Sequence, residues 1–191
     1  VRRLVGSEMC IRDRPADVAR ATLFVAGLGG FRATFNDRPL DPTAVRASVT
    51  EWNNRTYYWA DDVTTDVVAA VGADGKVAIA VELFKHWYGL SNNFYPTAYG
   101  PRSLKAVLVL THKDGKDTFV LPTAGAPDTS TGTGSSSSTP DQQGADIDSG
   151  WRHGRGSAIF DDLHGGQIID GRQASPGWES SGYAASAPSW M

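Results

Sequence analysis

Cysteine is nearly absent from this chain: its 191 residues include one, Cys10. A lone thiol closes no intrachain disulfide and builds no Cys-ligated zinc site. Long apolar runs are also missing, and none approaches the ~20 residues needed to span a bilayer, so a membrane partner is not expected. Basic clustering is absent too. Eighteen Lys and Arg stand against 21 Asp and Glu, a net charge of −3, and the cations are scattered. Phosphate binding depends on clustered Lys and Arg, so nucleic acid is not an expected partner. No long segment carries the 3.6-residue apolar period of a helical domain. No internal repeat falls at a solenoid or propeller period.

The first residues stand apart. Leu4 to Arg14 reads LVGSEMCIRDR. That run resembles the translation of a widely used transposase-based sequencing adapter, and an eleven-residue match by chance is very improbable. Residues 1–14 are therefore read as a non-native, adapter-derived arm and set aside before fold reasoning. Without them Cys10 is lost, and with it any thiol nucleophile. The arm holds four arginines against Glu8 and Asp13, so the net charge of −3 becomes −5 for residues 15–191.

The remaining 177 residues (191 less 14) suit one domain. A domain of that size buries roughly 70% of its unfolded surface and needs no covalent staple. Glycine and aromatics are frequent, as in strands joined by tight turns. Ala21 to Ala26 is a short apolar run bounded by Gly27, Gly29 and Gly30. Phe31, Ala33 and Phe35 alternate with Arg32, Thr34 and Asn36, the period of a half-buried strand. Asn36-Asp37 followed by Pro39 predicts a turn. Arg55 to Asp61 is aromatic and strand-like. Asp62 to Ala70 predicts one or two helical turns with Asp62 or Thr64 as N-cap. In Lys76 to Leu83, Val77, Ile79 and Val81 share one side. Leu104 to Leu110 and Thr118 to Leu121 flank Asp114-Gly115, a strong hairpin signal. Ala126 to Gly144 is Ser, Thr, Gly, Pro, Asp and Gln with almost nothing apolar. Such a segment cannot offset its own ordering entropy, and only about 40 residues follow it, too few for a second core. It is read as one long disordered loop inserted in a single domain. Many short strands with Gly-rich turns predict an all-β, jelly-roll-like β-sandwich with short helical turns.

Several segments resemble the N-terminal domain of bacterial-type α-L-rhamnosidases. Leu23 to Phe35 (LFVAGLGGFRATF) is similar to the family's opening strands around a Gly-rich turn. Tyr57 to Val67 resembles its aromatic strand leading into an Asp-Val-Thr helical turn. Val77 to Tyr88 resembles an apolar strand ending in Trp87-Tyr88. Leu104 to Leu121 fits its Asp-Gly hairpin, and Asp148 to Arg152 its Asp-to-Trp turn. Ile159 to Trp178 (IFDDLHGGQIIDGRQASPGW) resembles its closing segment. Gln167 replaces the family's usual acidic residue, and Asp170-Gly171-Arg172 replaces Asp-Ala-Arg. The resemblance implies a parent enzyme that hydrolyses terminal α-L-rhamnosyl groups with inversion. Inversion needs an acid and a base carboxylate roughly 6.5–9.5 Å apart. In the family both come from a downstream α/α barrel, which this chain cannot build. The chain is expected to be an accessory, non-catalytic domain, inactive alone and partnered by a downstream catalytic domain. The alternative is a free-standing carbohydrate-binding module for rhamnose-type sugars.

The best candidate for carbohydrate binding is the aromatic loop Phe84 to Tyr99. Trp87, Tyr88 and Tyr95 offer ring faces for the C–H side of a sugar, and Asn92 and Asn93 offer amides for paired hydroxyls. The competing reading packs this loop against a neighbouring domain. Trp52 with Asn53-Asn54 is a weaker version of the same idea. No cofactor is expected from the residues. Some related domains bind rhamnose with calcium, which takes oxygen ligands such as Asp and Asn.

Other tempting residues take plainer roles. Adjacent strand residues face opposite ways, so Asp161-Asp162 would not flank one glycosidic bond and is assigned to turn chemistry. Asp170 and Arg172 are read as an ion pair on one side of a closing strand, Gln167 to Arg172. His153 and His164 are read as turn histidines, and His86 as a strand-end residue. Ser135 to Ser138 lacks a nucleophile elbow. Trp151, Trp178 and Trp190 are assigned to the core or to docking.

Overall fold

Apolar alternation in Val18–Leu28 (β2) and Gly30–Phe35 (β3) builds two strands joined at Gly29. In β2, Ala21, Leu23 and Val25 are wholly buried, while in β3 Phe31 and Phe35 are. A computed structural model describes residues 3–10, 17–73, 76–89, 99–100, 102–120, 151–181 and 183. The loop expected at Ala126 to Gly144 lies outside the described residues, as do Asn92, Asn93, Tyr95 and Trp190.

Two antiparallel sheets face each other. Arg3–Cys10 (β1), Arg38–Pro39 (β4), Arg46–Ala47 (β5), Lys76–Phe84 (β7) and Trp151–Arg155 (β10) join β3 in the first, in the order β10-β1-β7-β3-β4, with β5 also on β3. Trp59–Asp62 (β6), Ser103–His112 (β8) and Asp117–Val120 (β9) join β2 in the second, in the order β6-β2-β8-β9. The inner faces supply Leu23, Val25, Phe31, Phe35, Val77, Ile79, Val81, Leu108 and Leu110. Burying each such side chain stabilises the fold by about 1.5–3 kcal/mol. Phe31 from one sheet meets Trp59 from the other edge to face, with ring centres 5.2 Å apart.

The Asn36-Asp37 turn forms as expected. Both residues take positive φ, 47° and 62°, and Phe35 pairs with Arg38 across them. Two positive φ values define the hairpin turn whose twist matches its strands. The Asn36 side-chain oxygen also accepts the Ala78 N–H at 2.7 Å, extending the β3–β7 ladder past its end. The Asp114-Gly115 hairpin forms too, with Gly115 at φ 81°.

The helix is longer than expected. It runs over Thr64–Ala73 (α1). Asp62 Oδ1 accepts the Thr64 N–H at 3.0 Å and its hydroxyl at 2.6 Å, while the same hydroxyl oxygen accepts the Ala21 N–H at 2.8 Å. The helix start is thereby tied to β2, and Val63 and Val67 enter the core. The aromatic run from Arg55 is extended pairing only from Trp59 onward. Tyr57 and Tyr58 are exposed, and among the described residues no strand pairs with that stretch of backbone.

Arg46 on β5 holds Asp61 on β6 through two bonds of 2.5 and 2.7 Å, so one fork bridges the two sheets. The Asp61 hydrogen bonds raise the guanidinium pKa above its already high value.

The chain then forms a third layer. Ala158–Asp162 (β11) and Gly166–Ile169 (β12) make a separate hairpin. Beyond it, Ser180 donates to Asp37 at 2.8 Å, and residues 174–179 lie over Glu82 of β7. Ala78 and Ala80, which share the outward face of β7 with Glu82, are buried as well. The expected closing strand is shorter than Gln167 to Arg172. It stops at Ile169, and Asp170 caps a 3-10 turn over Gly171–Gln173. The Asp170–Arg172 ion pair is present, at 2.9 Å, but on that turn and not on a strand.

Arg3–Cys10, which falls within residues 1–14, pairs with β7 on one side and β10 on the other.

Candidate functional site

The end of β7 gathers most of the chemistry outside the core. After Phe84 the chain turns through residues 86–89, and His86 takes a positive φ of 47°. Trp87 and Tyr88 then point to different neighbours. Trp87 meets the His164 ring edge to face, with centres 5.4 Å apart. Tyr88 is buried against Trp52 and Tyr99, at 5.6 and 5.9 Å. Trp52 and Tyr99 complete that cluster at 4.6 Å, and the Trp52 indole N–H donates to the Ser48 carbonyl at 3.1 Å. Trp87 and Tyr88 are thus sequence neighbours but do not share one face. Tyr88 is used in packing, and Tyr99 is the exposed ring of its cluster.

Behind this turn lies a buried polar group. Asp161 on β11 is 5% exposed. Its Oδ2 accepts the Lys85 backbone N–H at 2.7 Å and lies 3.7 Å from Arg102 Nη1. Gln167 donates weakly to Oδ1 at 3.5 Å. Burial pushes the His86 imidazole below its ordinary range, and the Asp161 charge opposes that only in part. His86 Nδ1 is buried with no hydrogen-bond partner among the described residues.

Asp162 faces the other way, as expected from strand geometry. Its Oδ1 accepts the N–H groups of His164 and Gly165 at 3.0 and 2.8 Å, and these bonds hold its carboxyl below the usual range. The two carboxylates therefore point to different partners. His164 sits in the hairpin turn, as read from sequence. His153 does not: its backbone belongs to β10 and pairs with Val5, because the Gly-rich stretch there continues as a strand.

A cleft of about 290 Å³ was not foreseen. Glu82, Ser157, Ser175, Pro176, Trp178 and Glu179 line it. Burial, with Asp37 adding to it, pushes Glu179 above the usual carboxylate range. Glu82 and Glu179 are nearly a hundred positions apart, and no local pattern links them. Among the described residues, no group of three or more His, Cys, Asp or Glu is arranged to hold a metal ion.

The order and antiparallel pairing of the strands define a β-sandwich domain with an added closing layer. The α-L-rhamnosidase N-terminal domain family matches residues 16–139, and the chain belongs to that family. An α-L-rhamnosidase of Streptomyces avermitilis is 28% identical over 168 residues, covering 87% of this chain and 13% of that protein. One from Formosa agariphila is 21% identical over 174 residues, covering 87% of this chain and 15% of that protein. Among solved structures, a Streptomyces avermitilis α-L-rhamnosidase complexed with L-rhamnose superposes with a TM-score of 0.70 at 25% identity, covering 97% of this chain and 15% of that one. The chain thus spans 13–15% of the length of the curated relatives it matches.

Proposed function

We propose that this chain is an accessory, non-catalytic domain of a larger α-L-rhamnosidase, and that the parent hydrolyses terminal α-L-rhamnosyl groups with inversion of configuration. The observation that carries this is the small share of each relative that the chain spans. Four of the aspartates also support it. Asp61 is held by Arg46, Asp66 by Arg38, Asp161 by the Lys85 N–H and Asp162 by its own turn. Each is engaged in holding the fold, whereas an inverting pair needs an acid and a base on opposite sides of a sugar. The role is mechanical: the domain packs against the catalytic part and supports it. The test is hydrolysis of an aryl α-L-rhamnoside. The chain alone should give no turnover, and the product of its full gene should give turnover. Appreciable hydrolysis by the chain alone overturns the reading.

A second reading is a carbohydrate-binding module, with Trp87, Tyr88, Asn92, Asn93 and Tyr95 as contacts. The half-buried Trp87 ring and the exposed Tyr99 ring favour it, since aromatic rings stack on sugar C–H faces. Titration with millimolar L-rhamnose, with and without calcium, separates the two. Heat or chemical-shift changes support a module, and their absence leaves a packing domain. The adapter origin of residues 1–14 is part of the same proposal, with residues 15–191 as the native domain.

A further inference from the structure

The β11–β12 hairpin belongs to neither sheet, and several of its large apolar residues are exposed. A two-stranded hairpin alone in water is marginal. This one is anchored on its inner side, where Ala158 is wholly buried and Asp161 accepts the Lys85 N–H. Its outer side is different. The register shifts between Ala158 and Phe160, so a bulge turns Ile159 and Phe160 outward together. Phe160 pairs with Ile168 across the hairpin, which places Ile168 on the same face. Ile159, Phe160 and Ile168 are 46%, 40% and 56% exposed, and Leu163 at the turn is 36% exposed. Together they present roughly 300–400 Å² of apolar surface, within the range of the largest patch on a typical monomer. Matched by an equal area on a partner, that reaches the lower end of contacts between domains of one chain, about 600 Å² in total.

We infer that this outer face of the hairpin is the seat on which the rest of a longer rhamnosidase polypeptide packs. The inference rests on the reading of the chain as one domain of such a protein. What points to this occupant is length: the relatives extend far beyond the segment that this chain matches, which is 13–15% of each. The face carries the apolar chemistry of an intramolecular domain contact. Lys85 Nζ lies 5.9 Å from the centre of the Phe160 ring, so a cation borders the face. The buried Asp161 anchor beneath it keeps the platform rigid, so docking costs little ordering entropy.

Hydroxyl-radical footprinting of the wild-type side chains, resolved by peptide, tests this. The chain alone and the product of the full gene are compared. Oxidation of Ile159, Phe160 and Ile168 should fall at least about fivefold in the longer protein. Equal oxidation in the two overturns the inference. Sedimentation of the chain alone tests the other occupant: a dimer that Ile168→Asp abolishes would assign the face to a second copy and also overturn it. The aryl-rhamnoside assay on the same longer protein keeps the two readings separate. Activity without protection rejects the docking face alone. Protection without activity rejects the enzyme assignment while the docking face stands.

Discussion

Asp161 and Lys85 are 76 positions apart, yet the Asp161 carboxylate accepts the Lys85 backbone N–H at 2.7 Å. This one bond clamps the closing hairpin to the end of the central strand of the first sheet. Arg102, 3.7 Å away, supplies the opposite charge that makes a nearly buried carboxylate tolerable.

Asp161→Ala removes the acceptor of the Lys85 N–H and the carboxylate 3.7 Å from Arg102. A loss of about 2–3 kcal/mol is expected, with Asp161→Asn losing less. Urea unfolding measures both. Limited proteolysis should cut near the hairpin first in the alanine variant. Equal stability of wild type and Asp161→Ala would refute the clamp.

The Arg46–Asp61 fork joins the two sheets at their edge. Arg46→Lys keeps the charge but loses the paired geometry, and should cost about 1–2 kcal/mol. A double-mutant cycle with Asp61→Asn should return a coupling of about 1–3 kcal/mol. Additive losses would mean that the fork does not hold the sheets together.

Gly29 sits between β2 and β3 at φ 112°, and a Cβ there would lie 2.4 Å from the Phe84 carbonyl oxygen. Neither the backbone angle nor the opposing carbonyl can give way cheaply. Gly29→Ala should destabilise by about 2 kcal/mol or more. By contrast, a Cβ on Gly171 meets open space, and Gly171→Ala should change the melting temperature little.

Two groups set the pH response in opposite senses. Burial pushes His86 below its ordinary value of 6.5, and the Asp161 charge partly opposes this. The unfolded chain takes up that proton first. Stability from His86 is therefore present above pH 6.5 and is lost as pH falls through the folded pKa. Glu179 is pushed above its ordinary value of 4.5 by burial and by Asp37. Its contribution is complete below pH 4.5 and is lost as pH rises through the folded value. His86→Asn suits the positive φ and should flatten the decline below neutrality. Glu179→Gln should raise stability at neutral pH. Denaturant midpoints across the pH range decide both.

β1 fills the place between β7 and β10 by backbone pairing. Backbone bonds do not read side-chain identity, so a segment of any coding origin with strand propensity can occupy that place. If the adapter proposal holds, resequencing the locus will replace Leu4 to Arg14 with other residues. An uninterrupted native frame through that run would end the proposal. Removing residues 1–14 should expose the facing edges of β7 and β10 and promote aggregation, measured by light scattering.

Local signals carried much of the fold. Alternation marked β3 and β7, and short apolar runs marked β2 and β8, since burial on one face or both is written directly in the residues. Asn36-Asp37 and Asp114-Gly115 named their turns, because a positive φ restricts which residues fit. The family was legible from the opening and closing motifs taken together. Arg55 to Asp61 misled because aromatic content favours a strand only where a partner edge is available. Asp170 and Arg172 paired as expected, although the strand had already ended at Ile169.

The candidate sugar loop shows where sequence reading stops. Trp87 and Tyr88 are adjacent in the chain, but one turns to His164 and the other to Trp52 and Tyr99. Only folding decides which neighbour each ring meets. The same holds for Asp161 on the Lys85 N–H, for Glu82 beside Glu179 and for the outward face of the hairpin. The sequence by itself determined the period of burial, the turn chemistry and the parent family, because those depend on residues a few positions apart. The tertiary structure decided the buried anchor and the cleft, because each joins segments whose separation along the chain leaves no local trace, and it decided which apolar side chains of the closing hairpin stay exposed.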